Sequence, residues 1–126
     1  MAGNLTNYLE NKLLDHFLGT TTYTRPTVYV ALFTVAPGDA GGGTEVTGGS
    51  YARQAAAFDA ASSGATSNSA NIDFTGMPAA TTVAIAIFDA STSGNMLVYG
   101  TLTTNKTTDA GDTLRIATGD LDISID

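Results

Sequence analysis

Apolar side chains recur at Leu5, Leu9, Leu13 and Phe17 and then, from Val28 onward, fall into strand-length runs separated by turn residues. A repeat of about four puts the first set, with Tyr8, Leu14 and Leu18 beside it, on one side of a helix. Polar Asn7, Asn11 and Asp15 fall elsewhere on the wheel. The spacing predicts a helix over residues 5–18, with Asn4 capping its first turn and Gly19 ending it in the left-handed conformation. Pro26 and the β-branched threonines of 20–27 then keep the chain extended on its way to a sheet.

The later runs have a different period. Val28–Phe33 is continuously apolar, as expected of a central strand covered on both faces. Tyr51–Phe58, Ala70–Phe74, Thr82–Phe88, Met96–Leu102, Thr113–Ala117 and Leu121–Ile125 follow as further strands. Alternation places Val83, Ile85 and Ile87 on one core-facing side. Leu121, Ile123 and Ile125 alternate with Asp122, Ser124 and Asp126, so one face of the last strand is apolar and the other polar. Turns are marked at Ser93-Gly94-Asn95, Ala110-Gly111-Asp112 and Thr118-Gly119-Asp120, where Gly supplies positive φ and Asp a local hydrogen bond. Strands so closely spaced rarely build parallel βαβ units. The expected fold is all-β: a β-sandwich or jelly-roll-like double sheet of about seven strands over residues 28–126, preceded by one N-terminal α-helix. A chain of 126 residues forms one domain, 1–126, and buries roughly 65–70% of its unfolded surface without a metal or disulfide.

Two connections exceed a hairpin turn. Residues 36–50 carry glycines at 38, 41, 42, 43, 48 and 49, and residues 59–69 are Ala, Ser, Gly, Thr and Asn almost throughout. Segments like these are usually functional arms or mobile loops, and residues 36–50 are expected to be mobile in the free protein and fixed on an assembled particle.

Composition narrows the function. Five Lys and Arg against twelve Asp and Glu give a net charge of −7, which argues against nucleic acid and against anionic membranes. Charged residues are 13% of the chain, about half the roughly 25% of an ordinary domain. Such a surface suits packing against copies of itself or a larger assembly, where each desolvated charge would need a partner. With no cysteine, disulfides, thiolate metal sites and cysteine nucleophiles are excluded. No apolar run reaches membrane length, and Met1–Asn11 lacks the basic start and apolar centre of a signal peptide, so secretory export is not expected.

Catalysis finds no evident home. His16 is the only histidine, and its place at the helix end is explained by the attraction of a helix C-terminus for a cation. A glycosidase pair could be drawn from ten Asp and two Glu, yet there is no Trp and no carboxylate set among aromatics. Asp109, Asp112, Asp120 and Asp122 lack the spacing of a calcium loop and read as turn aspartates. The Gly-rich segment runs from Gly41-Gly42-Gly43 into Thr44-Glu45-Val46, without the Lys and the helix of a phosphate-binding loop. No catalytic residue, cofactor or metal is assigned. Tyr51 and Arg53, one residue apart, point to the same side of an extended segment and form a pair of the kind interfaces favour. An arginine packed within the protein's own surface is the open alternative.

Longer stretches carry a resemblance. Val30-Ala31-Leu32-Phe33-Thr34, then Ala36-Pro37-Gly38-Asp39-Ala40-Gly41-Gly42-Gly43-Thr44-Glu45-Val46, then Gly48-Gly49-Ser50-Tyr51-Ala52-Arg53 resemble a widespread family of small tailed-bacteriophage virion proteins. The likeness extends to Asn7–Asp15, to Ile87-Phe88-Asp89-Ala90, to Gly94–Gly100 and to the Gly111-Asp112-Thr113-Leu114 and Gly119-Asp120-Leu121 turns. Members often carry the label tail fibre protein and look like head decoration, or cement, proteins. The resemblance implies a non-enzymatic virion protein on the outer capsid surface, made in the host cytoplasm. It would bind the major capsid protein and copies of itself as a trimer or dimer. Tail-associated, baseplate and carbohydrate-binding roles are the alternatives. Pro37, Asp39, Glu45, Tyr51 and Arg53, in and beside the glycine arm, are the expected contact residues.

Overall fold

A computed structural model describes residues 4–125. The helix, α1, spans Asn7–Phe17. Its cap is Thr6, not the expected Asn4: the Thr6 hydroxyl accepts from the Leu9 N–H at 3.3 Å and donates to the Met96 carbonyl at 2.7 Å. A hydroxyl can accept and donate at once, so one residue caps the helix and ties it to a strand. Asn4 instead lies in a short strand, β1 (Asn4–Leu5), paired with Tyr99. At the other end Gly19 takes φ +88°, and the Thr20 N–H reaches the Asp15 carbonyl at 2.9 Å. The apolar stripe is only half used. Leu9 is buried and Tyr8 and Leu13 are half-buried, whereas Leu14, Phe17 and Leu18 are 48%, 68% and 70% exposed.

The remaining strands are β2 (Tyr29–Val35), β3 (Thr44–Glu45), β4 (Gln54–Ala55), β5 (Ala65–Ser67), β6 (Ile72–Phe74), β7 (Ala80–Phe88), β8 (Met96–Thr108), β9 (Leu114–Ile116) and β10 (Asp122–Ser124). One antiparallel sheet runs β1-β8-β7-β2-β3, with β4 also pairing β2, and two ribbons, β6-β9 and β5-β10, form a second layer. Val30 lies opposite Ile87 and Leu32 opposite Ile85. These four join Val98 of β8, Ile72 and Phe74 of β6, Leu114 of β9 and Leu121 in the main core. The other face of β2 and β7 carries a smaller cluster of Ala31, Phe33, Ala84, Ala86 and Phe88. Both faces of the central strands are thus buried, and the double-sheet, all-β reading with an N-terminal helix holds.

Several boundaries differ from expectation. The 51–58 strand shrinks to Gln54–Ala55; before it the Tyr51 N–H bonds the Gly48 carbonyl at 3.2 Å in a turn. Within 59–69, Ala65–Ser67 pairs with β10. Val83 does not share a face with Ile85 and Ile87; it packs against the Ala84 cluster. Its neighbours explain why: Thr82 pairs with Lys106 but Ala84 with Thr101, so a wide bulge in β8 faces Val83 and breaks the alternation. Leu121 is buried, Ile123 half-buried and Ile125 57% exposed, so the last alternating face leaves the core as it nears the C-terminus.

The glycine arm 36–50 has a defined path tied to the sheet. Gly38 and Gly41 exchange two backbone hydrogen bonds of 2.9 Å, and the Val46 N–H reaches the Leu32 carbonyl at 2.9 Å. Val46 itself is 3% exposed. Gly43, at φ +73°, runs so close to β2 that a Cβ would sit 2.6 Å from the Val35 carbonyl oxygen; at Gly49, φ +55°, it would sit 2.5 Å from that of Gly76. These glycines serve close backbone approach.

Candidate functional site

Of the five expected contact residues the fold brings three together, Glu45, Tyr51 and Arg53, and places Pro37 and Asp39 apart from them in the arm. Glu45 stands on β3 opposite Phe33, and its carboxylate is held by three donors. Arg53 meets it with a fork, Nη2 to Oε1 at 2.9 Å and Nε to Oε2 at 3.0 Å, and the Tyr51 hydroxyl donates to Oε2 at 2.7 Å. That hydroxyl also accepts from the Leu32 N–H at 2.9 Å. Arg53 uses its remaining nitrogen on the carbonyls of Ala90, 3.1 Å, and Ser93, 2.8 Å. Its guanidinium lies 3.6 Å from the centroid of the Phe88 ring. Tyr51 packs on Phe74, with ring centroids 6.0 Å apart and an interplanar angle of 14°.

This is a brace that joins the arm, the 51–53 segment and the β7–β8 turn. The Arg53 side chain is 9% exposed and that of Glu45 25%, which favours the second of the two open readings, an arginine packed within the protein's own surface: its donors are spent inside the molecule. A planar fork matched to a carboxylate, with an aromatic face beneath, is what arginine does better than lysine. Burial, reinforced by the Glu45 carboxylate, pushes the Tyr51 phenol well above its ordinary value and keeps it a donor. Pro37 is buried in the arm. Asp39 is exposed at the arm's tip, where its backbone carbonyl accepts from the Asn7 N–H at 3.0 Å and its carboxylate from the Tyr99 hydroxyl. That hydrogen bond raises the Tyr99 phenol.

Between the start of α1, the arm and the β7–β8 turn lies a cleft of about 570 Å³, lined by Asn7, Asp39, Glu45, Phe88, Asn95 and Met96 among others. Among the described residues no lysine or arginine lines it. Asn95 is fixed by Asp89, which accepts from its backbone N–H at 2.7 Å and its side-chain amide at 2.9 Å. The lining thus carries the carboxylates of Asp39 and Glu45 and the amides of Asn7 and Asn95, a setting that disfavours phosphate.

His16 accepts from the Tyr23 N–H at 3.0 Å through Nδ1 and so pins the chain that leaves the helix. Asp112 accepts from the Asp109 N–H at 2.8 Å, a turn role. Among the described residues no group of three His, Cys, Asp or Glu could hold a metal ion, and no helix is long and apolar enough to cross a membrane. Sequence reasoning missed the β7–β8 turn as part of the brace. Its signal was the Ser93-Gly94 pair, both at positive φ, which presents the Ser93 carbonyl to Arg53.

A family model described as podophage GP4 fiber I protein gp80 matches residues 4–124, covering the helix and both layers of the fold. No curated protein matches the chain.

Proposed function

Because the chain belongs to the family described as podophage GP4 fiber I protein gp80, and is thus a phage structural protein of the fibre type, we propose that it is a non-enzymatic tail-associated fibre subunit. In this reading it seats on the virion through its braced arm. The observation that carries the site is the Glu45–Arg53 fork: it fixes a glycine-rich segment that would otherwise lose much entropy on binding and presents Asp39 beside a cleft rimmed with acceptors. A preorganised arm on a weakly charged surface fits a permanent contact within a particle.

Head decoration is the second reading, with the chain as a cement protein on the major capsid protein. It is favoured by compactness: a shaft would need repeats or a long shaft-forming segment, and the described chain has one 11-residue helix and strands folded back into two layers. In either place the protein binds only the assembled structure and so stabilises it by mass action.

The arm is tested by adding purified protein to particles stripped of it. Asp39→Ala is expected to bind about five- to tenfold more weakly, roughly 1 kcal/mol, while the free protein's stability changes by no more than about 1 kcal/mol. Unchanged affinity for the particle would remove the arm tip from the contact.

A further inference from the structure

The exposed end of α1 and a groove on the far half of β8 are complementary. Leu14, Phe17 and Leu18 are spaced three and four apart and so share one helix face, and they are 48%, 68% and 70% exposed. They form an apolar knob at a helix C-terminus, where the unpaired carbonyls add negative partial charge to that of Asp15. The groove, of about 260 Å³, has an apolar floor of Ile85, Leu102, Ile116 and Leu121, and its rim includes Lys106, Arg115 and Asp120. Two of the chain's five cations thus flank an apolar recess in a protein of net charge −7. Arg115 meets Asp73 at 2.7 Å yet its side chain remains 57% exposed, and Lys106 is exposed.

We infer that the knob of one copy seats in the groove of the next, so that the chain assembles head to tail. The occupant of the groove is a second copy because apolar surface and opposite charge match at both ends of the contact: Leu14, Phe17 and Leu18 against the floor, Asp15 and the helix terminus against Lys106 and Arg115. No residue of α1 lines the groove of its own copy. The helix is tied to the start of β8 through Thr6 and Met96, whereas the groove opens along residues 102–106. A two-fold contact of knob on knob would instead bring two negative helix ends and two Asp15 carboxylates together. Two different patches can meet reciprocally in a two-fold pair, whereas in the head-to-tail arrangement inferred here each knob enters the groove of a further copy, which closes into a ring of three or more copies or grows into a filament; a trimer is the smallest such ring. This rests on the reading of the chain as an assembling structural subunit, and it is tested on purified protein alone, so its failure leaves the particle-binding test of the arm untouched.

The experiment uses light scattering after gel filtration on the full chain and two exposed-site variants, Phe17→Asp, which spoils the knob, and Lys106→Glu, which reverses the groove rim. Thermal melts confirm that both are folded; should Phe17→Asp unfold, Leu18→Asp takes its place. The wild-type chain is expected to run as a closed ring, each variant alone as a monomer, and the equimolar mixture as a dimer, since only one good knob and one good groove remain to meet. The loss in each variant alone should be about tenfold or more in apparent affinity. A monomeric wild-type chain, a Phe17→Asp chain that keeps the wild-type size, or two dissociated variants that fail to combine on mixing would each overturn the inference, the last in favour of a two-fold contact.

Discussion

Arg53→Ala is expected to lower the stability of the free protein by about 3 kcal/mol and its Tm by roughly 10 °C. The side chain is 9% exposed and makes four hydrogen bonds, two to Glu45 and one each to the Ala90 and Ser93 carbonyls. Truncation leaves the Glu45 carboxylate with only the Tyr51 hydroxyl and strips two carbonyls of their donor. Leaving such groups unpaired costs more than the net gain from the bonds themselves. The loss of the guanidinium from the face of Phe88 adds to this. Arg53→Lys should recover only part of the stability, because a point charge cannot reach both carboxylate oxygens and both carbonyls. An exposed interface arginine would instead change free stability by no more than about 0.5 kcal/mol, so chemical denaturation of the two variants distinguishes the brace from a bare surface contact.

Ile87→Ala is expected to cost about 2–5 kcal/mol. Ile87 is 3% exposed, lies opposite Val30 on β2 and Val98 on β8, and faces the main core. Removing its branches opens a cavity between the sheet and the ribbons that the three paired strands cannot collapse to fill. Val83→Ala, on the opposite face and only half-buried, should cost about 1 kcal/mol. Urea melts with an unchanged slope would confirm that the native state is weakened without a change in compactness. Equal losses at the two positions would mean that the bulge does not separate their environments.

Periodicity revealed which segments become helix and strand because burial of one face leaves its mark on neighbouring residues. It could not reveal which part of a stripe finds cover. Leu9 and Phe17 belong to the same helical repeat, yet Leu9 joins the main core while Phe17 is 68% exposed. The cap went to Thr6, two residues past Asn4, because the β8 carbonyls wait there for its hydroxyl. The bulge that turns Val83 has no marker in the strand itself, since its cause lies in residues 102–105 of a neighbour. In the candidate site Glu45, Tyr51 and Arg53 were visible as residues, but their mutual geometry depends on two glycine approaches and on a turn some forty positions downstream. Local sequence carries no record of such long-range contacts. The arm's glycines illustrate the same point: their number suggested freedom, whereas Gly43 and Gly49 are needed because a carbonyl of another segment, Val35 or Gly76, occupies the space of a side chain.

The most direct test of the tail-associated structural role is to localise the protein in a virion density map. The account predicts compact densities the size of this fold at the tail, seated through the arm tip at Asp39. Densities arrayed over the capsid lattice would contradict that placement and assign the chain to head decoration, and a virion without the protein would contradict both.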